Sequence, residues 1–251
     1  MVAAAGNRTL PTYQKPESHM IPLRDDQPRF STPFVNYFLI GLNLLIFFAE
    51  AALNDAHLKT LLFQFGLIPA HVIGMLTGAH HLNPLAALMP FITSMFLHGS
   101  WLHVGGNMLF LWIFGDNVED YLGHFKYLMF YLLSGIAAAA TQVALTPHSG
   151  VPTIGASGAI AGVLGAYFIL YPRARVLIWF PPIFFFHLPS WVMLGYWFVI
   201  QFLSGTASSL SYAGNSDGGI AFWAHVGGFI AGIVMITLSS ERPLRDRYGA
   251  Y

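Results

Sequence analysis

The chain has 251 residues, of which 55% are apolar and only 9% are charged. Soluble domains carry roughly 25% charged residues, so this composition favours an integral membrane protein. Eleven basic and eleven acidic residues cancel, and no basic field is left that would attract a nucleic acid. The absence of cysteine excludes disulfides, thiolate metal sites and a cysteine nucleophile.

Six apolar stretches are long enough to cross a bilayer as helices, since about 20 residues span its hydrocarbon core. Prolines and glycines mark the joints between them. The sequence therefore predicts an all-α integral membrane protein, a bundle of six transmembrane helices. We assign residues 33–240 to this domain, and residues 1–32 and 241–251 to two short tails. The predicted spans cover residues 33–53, 101–119, 125–146, 154–171, 184–204 and 220–239.

Basic residues orient the predicted bundle. With an even number of spans, both tails share one side with the joints after spans 2 and 4. These segments hold every Lys and Arg of the chain except Lys59. The positive-inside rule then puts both termini in the cytoplasm. We expect a multi-pass protein of a bacterial inner membrane with two cytoplasmic tails.

Two glycine-rich motifs carry the residue types that nucleophilic catalysis needs. GASGAIAG has Ser157 at its centre in span 4, and AHVGGFIAG has His225 in span 6. A serine hydroxyl is unreactive until a base takes its proton. Both residues come early in spans that begin at the face opposite the termini, which predicts a depth of about 5–10 Å.

The glycines of these two motifs indicate close helix packing. Small residues four apart let membrane helices approach each other closely. Taken alone, that spacing indicates packing only. Here close contact of spans 4 and 6 is also what a hydrogen bond between Ser157 and His225 requires. The glycines that share these faces are Gly158, Gly162 and Gly165 in span 4, and Gly228 and Gly232 in span 6.

His103 and Asn107 lie four residues apart, on one face of span 2 and at a similar depth. Both side chains donate hydrogen bonds without being negative, which suits an oxyanion hole. The backbone N–H of Ser157, near a helix N-terminus, adds a third donor. The alternative is that His103 and Asn107 only form polar contacts between helices.

A metal site is not expected. The chain has no H-E-x-x-H motif, and His98 and His103 are five residues apart, off a common helix face. No cofactor is expected either. We interpret His80, His81 and His98 as loop or interfacial residues.

The residues provide no evident third member of a catalytic triad. Asp116, Glu119 and Asp120 fall at the far end of span 2, about 15–20 Å along the axis from His103. Asp217 falls in a predicted loop, so we do not expect it to orient His225. The sequence therefore predicts a Ser157–His225 dyad.

Three runs, HGSWLHVGGNMLFLWIFGDNVEDYLG, GASGAIAGVLGAY and AHVGGFIAG, resemble the rhomboid family of intramembrane serine proteases in order and spacing. The resemblance covers residues 33–240. It implies that Ser157 is the nucleophile and His225 the general base, and that His103, Asn107 and the Ser157 amide bind the oxyanion. It also implies that Glu119 is a structural acid.

The same resemblance implies a serine endopeptidase that cuts single-span membrane proteins near the outer face. Substrates would enter from lipid between spans 2 and 5, and the Gly/Ser-rich loop 205–219 would cover the site. The chain departs from some members in two ways. It has no Trp-Arg pair within residues 54–100, and it has Ala161 where others have a tyrosine that stacks on the histidine. How His225 is supported is therefore open.

Two other functions remain as alternatives. One is a non-catalytic membrane protein that binds client helices. The other is a small-solute transporter with the polar cluster as its site. Transport is disfavoured because the cluster lies near one face of the bilayer, whereas transporter sites lie near the midplane between inverted repeats.

Overall fold

The computed structural model describes residues 21–78, 83–211 and 221–239. Within this part of the chain, a helix occupies most of each of the six predicted stretches, and shorter helices fill the segment between the first two. In chain order the helices are α1 (Phe34–Ala51), α2 (Asp55–Phe65), α3 (Pro69–Leu76), α4 (Pro84–Leu88), α5 (Pro90–Thr93), α6 (Trp101–Leu122), α7 (His124–Leu145), α8 (Ser157–Leu170), α9 (Ser190–Ser211) and α10 (Phe222–Leu238), with one 3₁₀ turn at Ser94–Phe96.

By length and hydropathy, fewer than six of the described helices qualify as membrane spans. Among the described residues, α1 and α7 are long and apolar enough to cross a bilayer. A third span results if α6 is joined to the segment Pro84–Phe96, from which it bends by 77°. Helices α8 and α10 are apolar but have 14 and 17 residues. At 1.5 Å per residue, α8 rises only about 21 Å. The six-span count is therefore not confirmed.

The prediction of an all-α fold is wrong in one region. Three strands, β1 (Ile21–Arg24), β2 (Arg175–Phe180) and β3 (Phe184–Pro189), form an antiparallel sheet in the order β1-β2-β3. The first side chains of β2 alternate between more exposed and buried positions, and Val176 and Ile178 are fully buried. Such alternation is the period of a half-buried strand, but its apolar composition resembles that of a membrane helix.

Helix α9 also differs from the predicted fifth span. Residues 184–189 belong to β3, so the helix begins at Ser190 and extends to Ser211, beyond the predicted end at 204. Gly205 belongs to this helix, and a Cβ there would lie only 3.2 Å from the ring of Trp223. A residue interpreted as loop is thus a small residue at a helix contact. Residues 212–219 of the predicted covering loop lie outside the described residues, as do His80, His81 and Asp217.

Helix α8 lies at the centre of the bundle, where α6, α7 and α10 pack around it. Every residue from Gly158 to Tyr167 is buried. A Cβ on Gly228 would overlap the carbonyl oxygen of Gly158, and one on Gly232 would overlap that of Gly162. The close approach predicted from the glycines is therefore confirmed. It brings the first turns of α8 and α10 side by side.

Two buried carboxylates anchor the N-terminal segment at the other end of α6. Glu119, 1% exposed, accepts hydrogen bonds from the amides of Val35 and Asn36 at 3.0 and 2.7 Å. It thereby caps the first turn of α1. Asp120 accepts from the amides of Phe30 and Ser31 at 2.6 and 2.8 Å. These contacts agree with a structural role for Glu119. The domain boundaries at 33 and 240 stay predictions.

Candidate active site

Ser157 is the first residue of α8 and follows a turn that only glycine fits. Gly155 has a φ of 120°, which side chains with a Cβ rarely adopt. A Cβ on Gly155 would also lie 2.6 Å from Nε2 of His103. The turn therefore exposes the Ser157 hydroxyl at the helix N-terminus and lets the His103 ring lie against the same backbone.

His225 lies in the first turn of α10 and is 8% exposed. Its Nε2 atom is 2.7 Å from Oγ of Ser157. Such a distance is typical of a strong hydrogen bond. The structure therefore brings together the two residues that the sequence analysis assigned to the dyad.

Helix α9 supplies two contacts to His225 that sequence reasoning missed. The Nδ1 atom of His225 is 2.7 Å from Oε1 of Gln201. Trp197 lies one turn before Gln201 in α9, and its ring centroid is 5.7 Å from that of the His225 imidazole. An aromatic ring thus contacts the imidazole even though Ala161 takes the place of the tyrosine on α8. The sequence feature that could have indicated these contacts is a glutamine four residues after a tryptophan within an apolar run.

His98 lies in a loop between the 3₁₀ turn and α6, as predicted. Its side chain is only 1% exposed, a burial that the sequence did not predict. Its Nε2 atom is 2.9 Å from Nδ2 of Asn107, and its ring centroid is 5.1 Å from that of His103. Its backbone N–H donates to Glu50 at 3.1 Å. His98 therefore links the loop before α6 to Glu50 of α1 and contacts the amide of Asn107.

A cavity of about 880 Å³ opens beside the Ser157–His225 pair. Ser157, His225, His103 and Asn107 all line it, so the four residues assigned from the sequence share one cavity. Its walls come from α6, α7, α8, α9 and α10 and from the segment before α8, with Phe110 and Trp197 among the apolar lining residues. Within residues 21–78, 83–211 and 221–239, no group of three or more His, Asp or Glu side chains is arranged to hold a metal ion. A metal-free site stays a prediction.

The family model of the Rhomboid domain matches residues 85–242 of the chain, which include every residue of this cavity named above. The chain belongs to the rhomboid family. Similar curated relatives include Rhomboid protein 1, mitochondrial, of Saccharomyces cerevisiae, 32% identical over 147 residues, covering 57% of this chain and 39% of the relative. Rhomboid-like protein 11, chloroplastic, of Arabidopsis thaliana is 27% identical over 161 residues, 61% of this chain and 53% of the relative.

A third relative of this rhomboid is the Presenilin-associated rhomboid-like protein, mitochondrial, of Bos taurus. It is 30% identical over 175 residues, covering 66% of this chain and 42% of the relative. The chain thus spans between about two fifths and half of the length of these relatives. The names of these relatives describe them as mitochondrial or chloroplastic proteins, which points to an organellar membrane. The expectation of a bacterial inner membrane with cytoplasmic termini is therefore contradicted. The charge pattern from which it came sorts the two sides of a membrane but does not identify the membrane.

Proposed function

We propose that this rhomboid is an intramembrane serine endopeptidase that cleaves transmembrane segments of single-span membrane proteins. The observation that carries the proposal is the 2.7 Å contact between Ser157 Oγ and His225 Nε2. The pair lines a cavity of about 880 Å³, large enough for an extended peptide segment. A nucleophile within hydrogen-bond reach of a base is the signature of covalent acyl transfer.

In the proposed reaction, Ser157 Oγ attacks a substrate peptide carbonyl while Nε2 of His225 takes the hydroxyl proton. The tetrahedral intermediate collapses, the C–N bond breaks, and His225 returns the proton to the leaving amine. Water then attacks the acyl ester with His225 again as base. Collapse of the second intermediate breaks the ester bond, frees a carboxylate product and restores the Ser157 hydroxyl.

Three donors suit the oxyanion that forms on the substrate. An amide nitrogen carries two N–H groups, so Asn107 can donate one to His98 and direct the other into the cavity. The ring of His103 lies beside the turn that precedes Ser157. The Ser157 amide belongs to the first turn of α8, where N–H groups have no partner within the helix. Donors fixed before the reaction stabilise developing charge at little reorganisation cost.

We further propose that six helices cross the membrane, with the cavity near the face opposite the termini; these are α1, α6, α7, α8, α9 and α10. The shortness of α8 supports this depth, because about 21 Å of helix leaves several ångströms of a bilayer core of about 30 Å to the preceding turn. Substrate helices would enter between α6 and α9, which both line the cavity through Phe110 and Trp197. Helix-breaking residues in the substrate would help expose a peptide carbonyl there.

Covalent labelling tests the proposal against a non-catalytic rhomboid that only binds client helices. A fluorophosphonate probe reacts with a serine that a neighbouring base activates. We expect the detergent-solubilised protein to be labelled, and Ser157→Ala and His225→Ala to lose the label. Ser204→Ala, a control within α9, keeps it. Absence of labelling in the folded unmutated protein would favour the binding function.

A further inference from the structure

The histidine of the proposed dyad has a second polar partner besides Ser157. Gln201 of α9 directs its Oε1 atom at Nδ1 of His225, 2.7 Å away. Trp197 contacts the same imidazole from the preceding turn of the same helix. Helix α9 packs against both α8 and α10. Gln201 contacts Nδ1 and Ser157 contacts Nε2, so the two residues approach the ring of His225 from opposite sides.

With Oε1 of Gln201 as the atom that faces Nδ1, the contact favours one tautomer of the imidazole. A neutral imidazole has one N–H and one bare nitrogen. An amide oxygen accepts hydrogen bonds and cannot donate, so Nδ1 must carry the hydrogen and donate it to Oε1. The bare Nε2 atom then faces the Ser157 hydroxyl at 2.7 Å. This is the tautomer that can take a proton from the serine.

We propose that Gln201 is a positioning residue that fixes the tautomer and orientation of His225, in the place that a carboxylate takes in a triad. The inference rests on the proposed function and deepens it. When His225 takes the serine proton it becomes an imidazolium, and Oε1 continues to accept from Nδ1–H. A neutral amide does this without adding a buried negative charge, which is costly to desolvate within a membrane protein.

Gln201 also accounts for the departure at position 161. The tyrosine that other members carry there supports the histidine from α8, and Ala161 has no ring to do so. Here both supports come from α9, since the ring of Trp197 packs against the imidazole at an interplanar angle of 36° and Gln201 binds its Nδ1 atom. His225 is thus held on both sides, although Ala161 offers only a methyl group.

Two substitutions at Gln201 separate hydrogen bonding from packing. Gln201→Met keeps the length of the side chain but removes the acceptor, whereas Gln201→Glu keeps an acceptor oxygen. With a single-span substrate in proteoliposomes, we expect Gln201→Met to lower kcat roughly 10- to 100-fold, since a misoriented base loses part of its contribution. KM should stay within about twofold, because the residue acts on the transition state.

The two variants have opposite outcomes under a purely structural role. If Gln201 accepts from Nδ1–H, Gln201→Glu keeps kcat within about fivefold, while Gln201→Met loses it. If Gln201 only fills space, Met retains activity and Glu, a buried charge, loses it, which would overturn the proposal. Thr206→Val is the matched control on α9, because its hydroxyl donates only to Leu203 of its own helix. It should leave kcat and KM unchanged.

Nitrogen NMR of His225 reads the same interaction without any substrate. In ¹⁵N-histidine-labelled protein in nanodiscs, with signals assigned through His225→Ala, we expect the proton on Nδ1. Gln201→Met should shift the population toward the Nε2–H tautomer. A proton on Nε2 in the unmutated protein would overturn the inference whether or not the protein cleaves anything. The expected tautomer in a protein that cleaves no substrate would instead count against the proposed function alone.

Discussion

Nε2 of His225 lies 2.7 Å from Oγ of Ser157, although 68 positions separate the two residues in the chain. The glycine faces of α8 and α10 create this relationship, because they let the two backbones approach until a single Cβ would overlap a carbonyl oxygen. Gln201 holds the far side of the histidine, and His98 holds the amide of Asn107. The candidate site is thus a polar network fixed by helix packing.

Adding one methyl group at Gly228 should separate the dyad. In Gly228→Ala the new Cβ overlaps the carbonyl oxygen of Gly158, so α8 and α10 must move apart. We expect a loss of about 1–3 kcal/mol in stability from overpacking. Proteolytic activity should fall by at least about tenfold, since small misplacements of reacting groups are costly. Thermal unfolding and a cleavage assay in proteoliposomes measure the two effects.

Gly41→Ala is the control for that substitution. Gly41 lies within α1 with no atom within 4 Å of its missing Cβ. Alanine is the better helix former by about 0.5–1 kcal/mol, so this variant should be as active as the unmutated protein and equally or slightly more stable. Equal stability and activity in the two variants would contradict the packing account.

Removal of the proposed oxyanion donor should lower the rate without weakening substrate binding. For Asn107→Ala we expect kcat to fall about 10²- to 10³-fold, the usual effect of losing one such donor. KM should change little, because the donor meets charge that exists only in the transition state. Asn54→Ala, which removes only the N-cap of α2, is the control and should leave kcat unchanged. An Asn107→Ala variant with nearly full kcat would rule out this role.

The sequence alone could predict the contact between Ser157 and His225 because each residue opens a glycine-rich helix, and the charge pattern predicted one depth for both. The contact of Gln201 with His225 was not predicted, because an isolated amide within an apolar run follows no spacing rule and its partner lies in another helix. The burial of His98 was not predicted, because a loop position says nothing about burial. Strand β2 falls in the predicted joint between spans 4 and 5. Strand β3 was included in the predicted fifth span because its aromatic residues have the composition of a membrane helix.

The docking of β1 should depend on pH through Asp25. Burial raises the pKa of this carboxyl to about 6 from its ordinary value of 3.8, with a contribution from the neighbouring Asp26 carboxylate. Asp25 also accepts a hydrogen bond from Tyr167. Since the folded-state pKa is the higher one, its stabilisation is complete below pH 4 and is lost as the pH rises through about 6.

Asp25→Asn should therefore stabilise the protein at pH 8 and have little effect at pH 4. The expected gain in the unfolding midpoint at pH 8 is about 2–4 °C, which corresponds to about 1 kcal/mol for a chain of this size. Partial exposure of the group limits the gain. Thermal unfolding at the two pH values measures it, with Asp55→Asn in the exposed first turn of α2 as the control. A gain confined to pH 4 would contradict the sign of the shift.

The most direct test of the central claim is cleavage of a single-span substrate by the purified protein in proteoliposomes. The unmutated protein should release two fragments, and Ser157→Ala and His225→Ala should each release none above background. The double variant should lose no more than either single variant, because the two residues act as a unit. Cleavage by Ser157→Ala at the rate of the unmutated protein would contradict the account.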